Sequence, residues 1–266
     1  MKKLNKTLSV ILAILMVISI IPITSSAAID TNSGDGVDTN AKSVCSSGHT
    51  QVIIPQSAPT ETNPGHTVGL ACSVCGEVLM KQEIIPALGT TDDASVIVSG
   101  TCGTSATWTY NTKTGTLIIS GTGAISNYKS IHNRPWENYE DDIKSVVIND
   151  GITRIGNYAF DNFGSLIYVS IPDSVTQIGS NVFKYCSELR SIVISDNVDT
   201  LNYSAFEGCK NLIYISLSNK LNYIQDSTFR NCSSLTHLTV PDSVYYINSA
   251  AFMEYFKMPE VWEENG

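Results

Sequence analysis

Four side chains in one short stretch have the types and spacing to hold a metal ion: Cys45, His49, Cys72 and Cys75. Two thiolates separated by two residues can reach the same tetrahedral ion. Gly76, directly after the second thiolate, supplies the positive φ that turns backbone amides toward the sulfurs. The Cys45-Ser-Ser-Gly-His49 pair, 22 residues before Cys72, completes a Cys3His set, with His66 as a spare nitrogen. The same thiols suit disulfides if the chain is exported. Structural zinc and disulfide therefore both stand for this segment, and no other cofactor is required.

Catalytic chemistry finds no comparable footing. The histidines are His49, His66, His132 and His237, and none lies near a Gly-x-Ser-x-Gly elbow. Neither a phosphate-binding glycine loop nor a His-Glu-x-x-His helix occurs. His132, Asn133, Arg134 and Glu137 make a polar cluster beside Trp136, which reads as a capping loop and not as an active site. The expectation is a non-enzyme with no catalytic residues. The 266 residues carry a net charge of −9, so there is no basic footprint for nucleic acid. Hydrophobic residues at 42% exclude a disordered chain, and charged residues at only 15% exclude a coiled coil.

The elements that must position these groups follow from patterning. Lys2, Lys3 and Lys6 precede an apolar run from Leu8 to Ile23, then the small residues Ser25-Ser-Ala-Ala28, so residues 1–28 read as a signal peptide. At about 16 residues the run is short for a bilayer span, and no stable membrane span is expected after cleavage. Residues 29–44 are a polar, Gly-rich linker. Asp30, Asn32 and Asp35 within it mimic part of a calcium loop, but Gly34 and the missing Glu break the pattern. Residues 45–92 form the small Cys/His module. Residues 93–142 read as β, with strands at Ser95–Val98 and Thr116–Ser120 and a turn at Asn111–Gly115.

From Ile143 the chain repeats. Phe160, Phe183, Phe206, Phe229 and Phe252 recur every 23 residues, as do Cys186, Cys209 and Cys232, and Leu166, Leu189, Leu212 and Leu235. Each unit holds an apolar strand such as Leu166-x-x-Val169-x-Ile171, a Pro172-Asp-Ser turn, a short strand Val175-x-x-Ile178 and a closing turn with the Phe. A repeat of this length with Leu-x-x-Leu-x-Leu spacing predicts a β-rich leucine-rich repeat solenoid of five 23-residue units over 143–258, with a β cap before it and a tail at 259–266. The stacked cysteines read as buried thiols, because Phe163 fills the same slot. The Gly156/Gly179 slot becomes Asn202, Gln225 and Asn248, so it needs no left-handed backbone.

The stretch Ile143-Lys-Ser-Val-Val-Ile-Asn-Asp-Gly-Ile-Thr-Arg-Ile-Gly-Asn-Tyr-Ala-Phe160 resembles the BspA-type leucine-rich repeat family of exported bacterial proteins. So does the leader with Gly100-Thr-Cys-Gly103, Trp108, Gly115–Gly123 and Pro135-Trp136. Ala58-Pro-Thr, Gly65-His-Thr, Cys72–Leu79 and Ile85-Pro-Ala-Leu-Gly89 resemble a spacer repeat of exported multidomain proteins, with Thr90 where relatives often carry His. The resemblance implies a secreted or cell-surface protein that adheres to protein or glycan ligands without catalysis. The alternative is a structural spacer in a larger extracellular assembly.

Strand parity places the binding surface. Leu, Val and Ile of each first strand point inward, so Ser145, Tyr168, Ser191, Tyr214 and His237 form one solvent-facing column. Val147, Ser170, Val193, Ser216 and Thr239 form the next. Tyr168, Ser170, Ser191, Tyr214, Ser216, His237 and Thr239 are the ligand candidates, and Arg154, Gln177, Thr200, Tyr223 and Tyr246 are exposed on the second strands. Unit five ends in Phe252, Met253, Tyr255, Phe256 and Met258 with eight residues to follow, too few to cap it. Weak self-association through that end, or a longer parent chain, is expected.

Overall fold

The computed structural model describes residues 51–253 other than 61, 75, 89–96 and 131. The segments read from sequence as signal peptide and linker, Cys45, His49, Cys75 and the tail 259–266 lie outside the described residues, as does the end of unit five. No described helix is long and apolar enough to cross a membrane.

Two small sheets make up the module. β1 (Gln51–Ile54), β3 (Gly69–Cys72) and β4 (Val78–Met80) pair antiparallel in that order, while β2 (Gly65–His66) pairs antiparallel with β5 (Ile84–Ile85). Next, β6 (Ile97–Thr101), β7 (Ser105–Asn111) and β8 (Thr116–Ala124) form an antiparallel meander. The Asn111–Gly115 turn closes as expected: the Asn111 side chain accepts from the amides of Lys113 and Thr114, and Gly115 takes φ +70°.

The repeats stack their strands in parallel. First strands are β9 (Ser145–Ile148), β11 (Tyr168–Ser170), β13 (Ser191–Val193), β15 (Tyr214–Ser216) and β17 (His237–Thr239). Second strands are β10 (Ile152–Ile155), β12 (Gln177–Ile178), β14 (Thr200–Leu201), β16 (Tyr223–Ile224) and β18 (Tyr246–Ile247). Every parallel pair between repeats joins residues 23 apart, such as Tyr214 with His237 and Tyr223 with Tyr246. A third ladder runs through the closing turns, where Phe160, Phe206 and Phe229 donate their amides to the carbonyls of Val182, Thr228 and Ala251. The 23-residue period therefore lays a ladder on each side of the coil, with the strand pairing interrupted between β11 and β13 and between β14 and β16.

The array begins earlier than Ile143. β8 pairs in parallel with β9 through Thr116–Ile119 and with β10 through Gly123 and Ala124, so one strand supplies a rung to both sheets. Trp136 stacks on Phe160 at 5.7 Å and donates its indole N–H to the Ala159 carbonyl at 3.0 Å. It thus stands where a sixth Phe would. The substitution of Trp for Phe and a spacing of 24 instead of 23 hid this rung from a search for the repeated residue.

Core positions follow the sequence pattern: Leu166, Val169, Val175, Ile178, Phe160 and Phe163 are all buried in one continuous cluster. Of the ladder thiols Cys186 and Cys209 are buried and Cys232 is half-buried, and each donates to the Phe carbonyl of the preceding repeat: Cys186 to Phe160 at 3.2 Å, Cys209 to Phe183 at 3.1 Å and Cys232 to Phe206 at 3.1 Å. Gly156 and Gly179 lack positive φ, as the Asn and Gln at equivalent positions implied. Crowding selects glycine at the first of them, because a Cβ there would lie 2.0 Å from the Ser126 carbonyl oxygen.

Candidate functional site

Parallel register brings the parity columns together as aligned, yet their exposure differs from the expectation. Ser145, Tyr168 and Ser191 do not face solvent; their relative exposures are 0%, 2% and 5%. Tyr214, Ser216 and His237 are half-buried, Ser170 likewise, and Thr239 is exposed. The face opens progressively from the first rungs to the last.

Two causes are visible. At the front, the hydroxyls of Ser145 and Thr116 bond each other at 3.0 Å across the β8–β9 pair. Further along, the Cys/His module lies on the sheet face. Val68, Leu70 and Met80 of the module form a buried cluster against which Leu79, Val193, Ile213 and Tyr214 pack. At the edge of the contact Arg190 Nε lies 3.1 Å from Glu83 Oε1. Asn111 also donates its side-chain amide to the Leu88 carbonyl at 3.2 Å. Parity gave the direction of each side chain and could not show that another part of the chain covers them. A signal was present in Val193 and Ile213, which break the polar pattern of a solvated face and require cover.

Burial acts on the titratable groups of this face. Desolvation raises the hydroxyl pKa of Tyr168 and Tyr214 and lowers that of the His237 imidazole from its ordinary 6.5. His237 pairs its Nδ1 with the Thr236 hydroxyl at 2.8 Å. A neutral imidazole beside Thr239 and Ser216 can accept or donate one hydrogen bond to a ligand.

Of the metal candidates only Cys72 falls within the described residues. It is buried, its sulfur accepts from the Val74 amide at 3.4 Å, and Gly76 adopts φ +72°. His66, the spare nitrogen, sits within 3.3 Å of the Ser57 hydroxyl.

The polar cluster near Trp136 resolves into a structural feature that spacing did not reveal. Arg134 is buried and bonds the carbonyls of Tyr158 and Asp161 and the Glu140 carboxylate, with its guanidinium 5.2 Å from the Phe163 ring centre. His132 and Asn133 stay exposed. Beyond Arg134, Asp161, Lys184, Glu207 and Arg230 recur every 23 residues with alternating sign. Lys184 Nζ reaches Glu207 Oε2 at 3.0 Å. Burial pushes the Asp161 carboxyl up to about 6, against the opposing pull of Arg134 and Lys184. The column is legible in the sequence once the period is known, because alternation at stacked positions turns like-charge repulsion into attraction.

A family model described as a BspA type leucine rich repeat region matches residues 129–258 in six copies. Its start precedes Ile143, in keeping with the place that Trp136 takes in the aromatic column. No curated protein matches the chain. Among solved structures, the chain is similar to a leucine rich cell surface protein from Faecalibacterium prausnitzii A2-165. The two are 28% identical, over 56% of this chain and 44% of that one, with a TM-score of 0.42. The chain thus spans less than half the length of that protein. It is also similar to a leucine-rich repeat protein of T. pallidum, at 20% identity over 58% and 84% of the two chains with a TM-score of 0.37. A third, a leucine-rich repeat protein from Bacteroides ovatus ATCC 8483, is 20% identical over 55% and 54%, with a TM-score of 0.32.

Proposed function

Residues 129–258 belong to the BspA-type leucine-rich repeat family, and from that premise we propose that the protein is an exported, non-catalytic binding protein for an extracellular protein or glycan. One observation carries the reading. Every core position of the repeat is filled, while the outward columns, apart from Val147 and Val193, are polar or carry tyrosine, and they are in register and increasingly open from Ser191 through Ser216 to His237 and Thr239. Polar side chains held about 4.8 Å apart by sheet pairing give a regular array at little entropic cost to a ligand. The signal-peptide pattern of residues 1–28 supports export to the surface or the medium.

The test is binding of the full chain, immobilised, to a panel of extracellular matrix proteins and to a glycan array. Paired replacement of His237 and Thr239 by Ala should reduce the capture at least several-fold. Capture of nothing by the wild-type chain overturns the reading. A second reading, a structural accessory without a ligand of its own, draws on the module already seated on the sheet face at Val193, Ile213 and Tyr214.

Within the module, structural zinc on Cys45, His49, Cys72 and Cys75 is supported by the left-handed Gly76 and by the amide donated to the Cys72 sulfur. Metal analysis of the full chain should find about one zinc per chain, lost in a Cys72→Ser, Cys75→Ser variant. Oxidised thiols and no zinc would assign the pairs to disulfides.

A further inference from the structure

We propose that the second-strand sheet carries a binding site for a single pyranose ring of a neutral carbohydrate, in the hollow beside Tyr223. The proposal deepens the binding reading above and rests on it, but places the ligand on the other sheet.

The hollow arises from a step in side-chain size. Along the second-strand column the outward residue changes from the exposed Gln177 and half-buried Thr200 to the exposed Tyr223 and Tyr246. Where the short Thr200 meets the tall Tyr223, one rung apart, a cleft of about 150 Å³ opens, lined by Asp199, Thr200, Leu201, Tyr223 and Gln225. That is the size of one ring-shaped ligand left open to solvent on one side, and too small to seat a peptide segment.

Tyr223 does not stand alone. Tyr245 meets it edge-on with ring centres 4.8 Å apart and donates its hydroxyl to that of Tyr223, and the Tyr246 ring lies 6.2 Å away. Tyr203, Tyr223, Tyr245 and Tyr246 are between 40% and 56% exposed. Three contiguous aromatic rings, Tyr223, Tyr245 and Tyr246, held in solvent forgo burial that the core positions achieve, which marks a patch kept for a ligand.

The chemistry of the lining selects a sugar. A pyranose has an apolar C–H face bordered by hydroxyls that both donate and accept. Tyr223 offers a ring face to the first, and the Asp199 carboxylate and Gln225 amide reach the second. Asp199 is oriented in advance by the Thr200 hydroxyl, which donates to its Oδ1 at 2.7 Å. Leu201 is buried behind the cleft and makes it dry at its base. A single carboxylate and no cation among the lining residues suit an uncharged ligand and disfavour an anionic one.

The full chain is titrated with methyl-α-mannoside, cellobiose, lactose, maltose and chitobiose and followed by saturation-transfer difference NMR. At least one of these sugars should show saturable transfer to its ring C–H protons, with a dissociation constant on the order of 1 mM for a one-ring open site. Tyr223→Ala should weaken it about tenfold or more, and Gln225→Ala a few-fold, whereas Lys113→Ala in the Asn111–Gly115 turn leaves it unchanged. Circular dichroism checks that each variant folds, and Gln225→Ala keeps the test valid should Tyr223→Ala unfold. Absence of saturation for all five sugars, saturation indifferent to both cleft variants, or displacement of the sugar by choline would overturn the assignment. Failure here, with capture on the matrix-protein panel retained, removes the sugar site and leaves the binding reading in place.

Discussion

Asp161 is the residue at which the repeat places a carboxylate in the least hospitable setting. It is 5% exposed, and burial outweighs the help of Arg134 and Lys184, raising its pKa from 3.8 to about 6. An acid whose pKa is raised on folding binds more protons folded than unfolded between those two values. Its contribution to stability is therefore full below pH 4 and is lost as pH rises through 6. The shift corresponds to about 3 kcal/mol at most. In Asp161→Asn this contribution is absent, so the stability difference between variant and wild type should change by about 2–3 kcal/mol between pH 4 and pH 6.5 in favour of the variant. Urea unfolding at the two pH values measures it, and a difference independent of pH would show that Asp161 titrates normally. The ladder thiols behave by the same physics. Burial pushes Cys232 up to about 12 and drives Cys186 and Cys209 well above the ordinary thiol value, so these sulfurs act as packing groups and hydrogen-bond donors, not nucleophiles.

The element that ties the array together is the aromatic column. Trp136, Phe160, Phe183, Phe206, Phe229 and Phe252 stack with ring centres 5.3–5.8 Å apart. Each of the four inner rings, Phe160 to Phe229, thus stacks against a neighbour on either side, and none of these can be removed without exposing two others. The closing turns that carry the rings use left-handed residues in two columns. One holds Tyr158, Asn181, Ser204 and Ser227, and the other Asn162, Tyr185, Gly208 and Asn231, with φ between +55° and +76°. Only one of the eight is glycine. The inter-repeat amide ladder holds five of the other seven, Tyr158, Asn162, Asn181, Tyr185 and Ser204, in a conformation that costs each about 1–2 kcal/mol. Phe206→Ala, in the middle of the column, should cost about 3–5 kcal/mol. Because repeats interact chiefly with neighbours, hydrogen exchange should accelerate first in the repeats that follow Phe206, with β6–β8 still protected. Uniform loss of protection along the chain would mean that the array melts as one unit.

At the scale of the molecule, the docking of the module governs what the solenoid presents. Val68, Leu70 and Met80 cover Val193, Ile213 and Tyr214, and the Arg190–Glu83 pair adds little, since both side chains are partly solvated. The contact is thus held by apolar area and should yield to a buried charge. Leu70→Asp should release the module and raise hydroxyl-radical modification of Tyr214 several-fold, while Tyr223 on the other sheet keeps its wild-type rate. Equal modification of Tyr214 in the two proteins would show that the module does not rest there in solution.

The period, the inward residues, the buried thiols and the parallel stack were all readable from the sequence, because a coil repeated every 23 residues must place the same side chain in the same environment at each turn. The Asn, Gln and Gly of the Gly156 slot likewise showed, before any coordinates, that this position is not left-handed. What escaped was whatever departs from the period. Trp136 serves as a rung one residue out of step, and β8 serves two sheets at once. Tyr168 and Ser191 point outward by parity and are nonetheless buried. Alternation along a strand fixes the side of the sheet on which a residue emerges, a local property of the backbone. Whether water or another part of the chain waits there depends on contacts between segments over a hundred residues apart, as Leu70 with Tyr214, and only the tertiary structure decides those.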